Sequence, residues 1–539
     1  MVTRVADGAA PSLTLRGVKG AIAAGHPLTA EAGAEVLREG GNAVDACLGA
    51  AFVSWVAESP LTGPGGGGFM LVYRARDGTA SLYDFFAALP GAGLVPGWQA
   101  ELEQIDVDFD GSTHQTFNVG AASVAVPGAP LGLESVHRRF GSRPWAALIE
   151  PAIALARSGV ELTRSQAYLH ELLDLILRHT EGGRAIYGPA GERLTAGERL
   201  VMSDLADTLE ALRDRGAQDL YTGELGRLIA ADQAARGGAV TAGDLAAYRV
   251  IRRRPIDADF LGHRFLSNPP PSSGGVLIGY GLRLLDRLGL GGPAGSANAV
   301  SALAEVMREQ AWVRGGTFST DLYRGGLAAR LGAEEALEAA LQRISAGRPS
   351  AREGRAAWGT THISVVDARG NGASLTATTG AGSGVIVPGT GIHLNNMLGE
   401  YDLNPPGREG RPGARMTSMM APSLVLEGER PRLVVGSAGS VRLRGAIMQI
   451  VVNVVGHGHG VEEAISAPRV HLDDGHLHCE GGADPAALDE LERRGYDIVR
   501  WRRPNLYFGG AAAVELLDDG TLAAAGDPRR GGHGVVVGA

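Results

Sequence analysis

The stretch that most constrains this chain is Gly359-Thr360-Thr361-His362-Ile363-Ser364-Val365-Val366-Asp367. A glycine and two threonines lead into an alternating run, a turn follows at Arg369-Gly370-Asn371-Gly372, and a second alternating run covers residues 373–379. The pattern predicts a β-hairpin with hydroxyl groups at its open end. Because the turn fixes antiparallel register, Thr378 is expected within one residue of the position that faces Thr360.

The peptide bond after Gly359 gives this hairpin its chemical interest. If that bond is cut, Thr360 carries both a hydroxyl and a free α-amine. An α-amine has an ordinary pKa of about 7.7–8.0, so roughly a tenth to a sixth of it is neutral at pH 7 and able to take the hydroxyl proton. Nucleophile and base are then present in one residue. The alternative is structural, since β-branched threonines also suit the start of an ordinary strand.

Composition bounds the class of protein. The chain has 539 residues, 44% hydrophobic and 20% charged, which is typical of a soluble globular protein of about two to four domains. A net charge of -9 with no basic run argues against nucleic-acid binding. Cys47 and Cys479 lie far apart and predict neither a disulfide framework nor a zinc site. We find no signal-peptide core, membrane-length apolar run, metal-ligand spacing or cofactor motif, so a cytoplasmic enzyme without cofactor or membrane partner is expected.

A glycine run at Gly65–Gly68 invites comparison with a phosphate-binding loop. No Lys-Ser/Thr pair follows it, and it leads into a predicted strand at Met70–Arg74 rather than into a helix. The run is therefore interpreted as backbone that must pass close to another segment or a ligand.

Other segments supply the scaffold. Val18–Gly25 predicts a strand, and Thr29 is expected to cap a helix over Ala30–Glu39. Residues 333–355 are predicted to be helical and then exposed, a suitable start for a cleavage loop. The turn Gly436–Ser440 precedes a predicted helix at Arg442–Val455, and its N–H groups could stabilise an oxyanion. Apolar spacing predicts further helices at Ala43–Ala57, Ser165–Arg178, Ser203–Arg215, Glu224–Arg236, Val276–Leu288 and Ala297–Arg314.

Taken in order, these motifs resemble the γ-glutamyltranspeptidase (γ-glutamyltransferase) family of N-terminal-nucleophile hydrolases. The resemblance runs over nearly the whole chain. It is carried by Gly40–Ala46, Gly65–Phe69, Pro269–Gly275, Thr360–Asp367, Asn395-Asn396, Gly436–Ser440 and Asp527-Pro528-Arg529-Arg530. It implies an α+β fold, a four-layer αββα sandwich made as a precursor. The precursor would cut itself between Gly359 and Thr360, giving a large chain (1–359) and a small chain (360–539) that stay together as one unit.

The resemblance also implies roles for single residues. The nucleophile falls on Thr360, the supporting threonine on Thr378, and the oxyanion-binding pair on Gly439 and Ser440. In the substrate pocket the family's carboxylate-binding Arg is replaced by Phe86. The family's Asn, Gln and Asp fall on Gly380, Met397 and Glu400, whereas its paired serines survive as Thr417 and Ser418.

These substitutions leave the acyl-transfer groups present and the glutamyl-recognition groups largely absent. The leading hypothesis is an amidase or acyltransferase with a non-standard acyl donor, resolved by water or an amine. Such an enzyme would suit secondary metabolism, including carbon–carbon bond hydrolysis. Alternatives are a genuine γ-glutamyltransferase or glutathione hydrolase, with Arg415 replacing the lost clamp, and a non-catalytic binding protein. His362 and His393 lie in strand-like runs and are interpreted as structural.

Overall fold

A computed structural model describes residues 15, 17–91, 102–108, 114–347, 359–400, 403 and 410–539. Of the region 333–355, predicted to be helical and then exposed, the structure describes the helical part, and residues 348–358 lie outside the described residues.

Antiparallel strands make up most of the central structure. In chain order they are β1 (Val18–Ala24), β2 (Gly67–Arg74), β3 (Thr79–Phe85), β4 (Glu103–Asp108), β5 (His114–Val119), β6 (Val160–Glu161), β7 (Arg199–Leu200), β8 (Ile251–Arg253), β9 (Ile256–Phe260), β10 (His263–Ser267), β11 (Thr361–Asp367), β12 (Gly372–Thr378), β13 (Ile386–Val387), β14 (Ile392–His393), β15 (Ser423–Glu427), β16 (Arg430–Ala438), β17 (Val470–Asp473), β18 (His476–Cys479), β19 (Asp497–Arg500), β20 (Gly510–Leu516), β21 (Leu522–Gly526) and β22 (His533–Gly538).

Helices surround these strands. They are α1 (Pro27–Arg38), α2 (Ala43–Ala57), α3 (Ala129–Phe140), α4 (Trp145–Ser158), α5 (Arg164–Leu172), α6 (Asp174–Leu177), α7 (Glu181–Tyr187), α8 (Ser203–Arg215), α9 (Asp219–Thr222), α10 (Glu224–Ala235), α11 (Ala242–Ala247), α12 (Gly274–Leu288), α13 (Ala297–Val313), α14 (Phe318–Arg324), α15 (Leu327–Leu331), α16 (Glu334–Ser345), α17 (Arg442–Val451), α18 (Val461–Ser466) and α19 (Pro485–Arg493). A π-helical turn at Val452–Gly456 continues α17.

Two stacked sheets form the middle of the molecule. The first sheet runs β22–β1–β11–β12–β2–β3–β8, and the second runs β21–β20–β16–β15–β10–β9. Helices α1 and α2 pack on the outer face of the first sheet, and α12 and α17 pack on the second. The αββα sandwich of an α+β protein is therefore confirmed.

Alternation along the strands sends side chains to two different cores. In β1, Ile22 packs with the helices that cover the first sheet, whereas Ala21 and Ala23 face the second sheet. In β11, Ile363 and Val365 likewise face the helices. This period of two is what a sheet buried on both faces requires.

The N-terminus of α1 corrects one prediction. The helix begins at Pro27 rather than Ala30, and its cap is His26, whose side chain accepts a hydrogen bond from the Leu28 N–H at 3.1 Å. The predicted cap, Thr29, is fully buried and donates its hydroxyl to Glu58 at 2.7 Å instead. A hydroxyl that can cap a helix can equally serve a buried carboxyl group, which the sequence pattern does not reveal.

Close backbone approach explains the glycine run. A Cβ on Gly65 would lie 2.3 Å from the carbonyl oxygen of His393, and one on Gly66 would lie 2.4 Å from that of Thr378. Both distances are too short for any side chain, so the run lets β2 pass directly beside the hairpin that carries Thr378. The interpretation from sequence is confirmed.

Candidate active site

The predicted hairpin forms with the predicted register. Strands β11 and β12 pair so that Thr361 faces Ala377, which places Thr360 and Thr378 side by side at the open end. Both threonines are buried.

The carbonyl oxygen of Gly359 is the focus of this end of the hairpin. The Thr360 hydroxyl donates to it at 2.6 Å, and the Thr378 hydroxyl donates to the same oxygen. The N–H of Gly380 donates to the Thr378 hydroxyl oxygen at 2.8 Å, which orients that hydroxyl. The Gly359 carbonyl, which precedes Thr360, is thus polarised by two hydroxyl groups.

Only glycine fits at position 359, directly before Thr360. A Cβ on Gly359 would lie 1.4 Å from the carbonyl oxygen of Gly380. Gly380 itself has φ +70°, and a Cβ there would lie 2.0 Å from the Asn396 side-chain oxygen and 2.5 Å from that of Glu400. The predicted pocket residues Gly380 and Glu400 therefore lie together beside the Gly359–Thr360 bond.

The predicted oxyanion turn lies at the end of β16. Ala438, the last residue of that strand, lines the same small cavity as Thr360. Gly439 and Ser440 follow with φ of 119° and 51°. The second value puts a serine in the left-handed region, which costs about 1–3 kcal/mol for a residue with a side chain. Such strain is typical of turns that aim backbone N–H groups at a reacting atom.

A buried carboxyl group supports the start of β11, directly after Thr360. Glu58, directly after α2, accepts hydrogen bonds from the hydroxyls of Thr361 at 2.5 Å and Thr29 at 2.7 Å. Burial raises the pKa of Glu58, and those two hydrogen bonds and the nearby charge of Arg530 act in the opposite direction. Sequence analysis missed Glu58. Its signal was a charged residue at the end of a helix that is apolar all round.

Arg530 was also missed as a site residue, although its motif was noted. Its guanidinium donates to the carbonyl oxygen of Thr360 at 3.1 Å. The neighbouring Arg529 and the buried Arg469 bind Asp527, at 3.1 and 2.7 Å respectively. The segment that follows β21 is therefore joined to Thr360 by a charged side chain.

The predicted acyl-pocket residues are packed in apolar surroundings. Phe86 is fully buried and stacks on Phe69 with ring centroids 5.4 Å apart. Met397 is buried in the same apolar cluster, together with Met416. An Arg at the Phe86 position would place a charge in this cluster.

Thr417 and Ser418 remain as hydrogen-bonding groups but already have partners. Thr417 donates its hydroxyl to the carbonyl oxygen of Leu403 at 3.1 Å, and the Ser418 hydroxyl accepts from the Met420 N–H at 3.0 Å. Both side chains are buried.

Arg415 holds the backbone around Phe86. Its guanidinium forms an ion pair with Asp84 at 3.0 Å and donates to the carbonyl oxygens of Phe86 at 2.5 Å and Arg249 at 2.6 Å. It also lies over the ring of Tyr248, 4.7 Å from the centroid. With these groups bound, Arg415 fixes the loop and does not present a free fork to a substrate carboxylate.

The two histidines have structural partners. The ring of His362 lies between the sheets, with Nδ1 2.8 Å from the Thr376 hydroxyl and Nε2 2.9 Å from that of Ser364. His393 accepts a hydrogen bond from the Gly384 N–H at 3.0 Å. Burial lowers the pKa of His362 to about 3 and that of His393 to about 4, so both are neutral at pH 7.

Within the described residues, no cluster of three or more His, Cys, Asp or Glu side chains has the geometry of a metal site. Within the same residues, no helix combines the length and hydropathy needed to cross a bilayer.

A stacked pair of antiparallel sheets with a threonine at the start of a central strand defines the class of N-terminal-nucleophile hydrolases. The Gamma-glutamyltranspeptidase family profile matches residues 29–537, and the chain belongs to this family. It is an enzyme, and the relatives described next are named as acylases and glutathione hydrolases.

Curated relatives cover almost the full chain. The "Acylase ACY 1 proenzyme" of Pseudomonas sp. (strain SE83) is 34% identical over 99% of this chain and 97% of its own length. The "Glutathione hydrolase proenzyme" of Escherichia coli (strain K12) is 31% identical over 96% and 91%. Cephalosporin acylase from Bacillus halodurans superposes with a TM-score of 0.84 at 24% identity, covering 99% of this chain and 98% of that one, and supports the fold.

Proposed function

We propose that this protein is a self-cleaving N-terminal threonine amidohydrolase or acyltransferase acting on an acyl donor other than a γ-glutamyl group. The Gly359–Thr360 bond would be cut to give chains 1–359 and 360–539, which remain associated. The observation that carries the proposal is the convergence of the Thr360 and Thr378 hydroxyls on the Gly359 carbonyl oxygen. The relatives named as proenzymes support it.

Cleavage begins with attack of the Thr360 hydroxyl oxygen on the Gly359 carbonyl carbon. The peptide C–N bond breaks, the amine takes up a proton, and an ester joins Gly359 to the Thr360 side chain. Water hydrolyses this ester, leaving a carboxyl group on Gly359 and a free α-amine on Thr360.

The mature site repeats the same chemistry on a bound amide. The Thr360 oxygen attacks the donor carbonyl while its own amine accepts the hydroxyl proton. N–H groups of Gly439 and Ser440 stabilise the oxyanion, and Thr378 orients the nucleophile. The donor's amine leaves with the proton, and water or a second amine takes the acyl group from Thr360.

The choice of donor follows from the pocket. A γ-glutamyl group carries an α-carboxylate that needs a cationic partner, whereas Phe86 and Met397 are apolar and Arg415 is bound to Asp84. Loss of a buried charge partner costs about 2–5 kcal/mol. Donors with an apolar acyl chain are therefore favoured, and carbon–carbon substrates of secondary metabolism fall within the same proposal.

Two measurements test the proposal. A denaturing gel of the purified protein is expected to show two fragments, with Thr360 as the amino-terminal residue of the smaller one. The Thr360→Ala variant is expected to stay whole. A single chain in both samples would exclude self-cleavage at this bond.

A matched series of p-nitroanilides separates donor classes. γ-Glutamyl, glutaryl and butyryl anilides carry an amine plus carboxylate, a carboxylate alone, and neither group. We expect kcat/KM for the butyryl compound to exceed that for the γ-glutamyl compound by about tenfold or more. The reverse order would favour the second candidate, a genuine γ-glutamyltransferase or glutathione hydrolase. That candidate is supported by the 31% identity to the Escherichia coli enzyme and by the retained Thr417 and Ser418.

A further inference from the structure

The Arg530 side chain lies directly behind the nucleophile. It is 7% exposed, and one guanidinium nitrogen donates to the Thr360 carbonyl oxygen at 3.1 Å. In the described part of the chain, its Nε and its other terminal nitrogen have no hydrogen-bond partner. A buried cation with unsatisfied N–H groups is costly, so its position beside Thr360 calls for a functional reason.

These N–H groups border a small enclosed space. The cavity of about 20 Å³ has room for roughly one water molecule. Its lining includes Thr360, Thr361, Glu58, Asp527 and Arg530. Thr360 lies directly before β11 and is itself part of this lining, so the amine that cleavage releases on Thr360 would border the same space as the Arg530 guanidinium.

The acidic groups around the cavity do not fully balance the positive charge of Arg530. Asp527 is already paired with Arg469 and Arg529, and Arg529 also binds Glu480. The pKa of Arg530 is lowered to about 10, mainly by burial and also by the charges of Arg442 and Arg469, while Asp527 and Glu58 oppose the shift. Burial raises the pKa of Glu58, so its carboxyl group offsets less of the Arg530 charge.

Histidines supply no further charge at neutral pH. Burial lowers the pKa of His26 and His170 to about 4 and that of His362 to about 3. All three line the cavity. Of the titratable groups that line this cavity, Arg530 is therefore the main cation without a full counter-charge.

We propose that Arg530 is a positioning residue that fixes Thr360 through its carbonyl group and keeps the α-amine released by cleavage in its neutral, proton-accepting form. This inference rests on the proposed function, because the amine exists only after the chain is cut. A neighbouring cation disfavours a second positive charge. The amine can then accept the hydroxyl proton of Thr360 at a pH where a free α-amine is largely protonated.

The amine can be titrated directly in the mature wild-type enzyme. Reductive ¹³C-methylation at limiting reagent labels amines, and the chain has a single lysine, Lys19, so few resonances compete. The amino terminus of the large chain serves as the internal reference. We expect the Thr360 amine to titrate about one pH unit below the 7.7–8.0 of a free α-amine. A midpoint within or above that range overturns the inference.

Variants separate charge from packing. In Arg530→Gln the midpoint is expected to rise by about one unit, and kcat/KM at pH 6 to fall about tenfold while the value at pH 9 changes less than about twofold. Arg530→Lys keeps the cation and should restore the wild-type profile. Arg494→Gln, which removes an exposed ion pair with Glu490, serves as the control. Equal pH profiles for Arg530→Gln and wild type also overturn the inference.

Failure of the two proposals can be told apart. If Arg530→Gln does not mature, the titration of the wild-type amine decides alone. An uncut wild-type chain overturns the proposed function and this inference together, whereas a cut chain with an ordinary amine overturns only this inference.

Discussion

The hydroxyl of Thr378 and the carbonyl oxygen of Gly359 are joined by a hydrogen bond across the open end of the β11–β12 hairpin. The partners are separated by 19 positions in sequence, yet the register of the hairpin brings them together. In the proposed cleavage, this bond would stabilise the charge that develops on the carbonyl oxygen when Thr360 attacks it.

Removal of that hydroxyl is therefore expected to slow self-cleavage. In Thr378→Val the shape is retained and the donor is lost, so the cleavage rate should fall by about 10²–10³. A gel time course of freshly purified precursor measures the rate. Thr378→Ser keeps a hydroxyl and is expected to cleave within about tenfold of wild type. Wild-type cleavage in the valine variant would contradict this role.

The hairpin shows why much of this site was accessible from sequence. Alternation over residues 361–367 and the Arg369–Gly372 turn determine the register, and the register alone places Thr378 beside Thr360. Helix α2 was predicted with its observed bounds because an apolar run between Asn42 and Glu58 has clear ends.

Long-range partners were not accessible in the same way. Glu58 and Thr361 are separated by 303 positions, and Arg530 and Thr360 by 170. No local pattern encodes such a pairing. Thr29 shows the consequence, since its hydroxyl satisfied a helix-cap rule in sequence but serves the Glu58 carboxyl group in the structure.

Backbone strain at Ser440 gives a prediction about stability. Ser440 has φ 51°, so Ser440→Gly relieves a left-handed residue and should raise the free energy of unfolding by about 1 kcal/mol. Gly439 has φ 119°, and a Cβ there would lie 3.0 Å from Gly509, so Gly439→Ala should have the opposite effect. Thermal midpoints at one scan rate compare the two variants. A shift in the same direction for both would refute the strain argument.

The buried His362 predicts loss of stability in acid. Its pKa is about 3 in the folded chain and about 6.5 when unfolded, so between these values only the unfolded chain binds the proton. Stability from this group is present above pH 6.5 and is lost as the pH falls, by about 2 kcal/mol at pH 5. His362→Gln should reduce the difference in unfolding free energy between pH 7.5 and 5. The exposed His533→Asn variant should leave that difference unchanged, and an unchanged difference in His362→Gln would exclude this residue as the cause.

Glu58 gives a pH dependence of the opposite sign. Burial raises its pKa, so the folded chain holds a proton that the unfolded chain has already released. The stability that this proton contributes to the fold is fully present below the pKa of Glu58 in the unfolded chain. It is lost as the pH rises through the pKa of Glu58 in the folded chain. Glu58→Gln keeps an acceptor for one threonine hydroxyl and a donor for the other without a charge to bury. The variant should therefore gain thermal stability relative to wild type on going from pH 5 to pH 8. Glu334→Gln, which removes an exposed ion pair with Arg287, should show no such trend. A relative gain that shrinks as the pH rises would mean that Glu58 is ionised in the fold, and Arg530 would then have a full counter-charge beside Thr360.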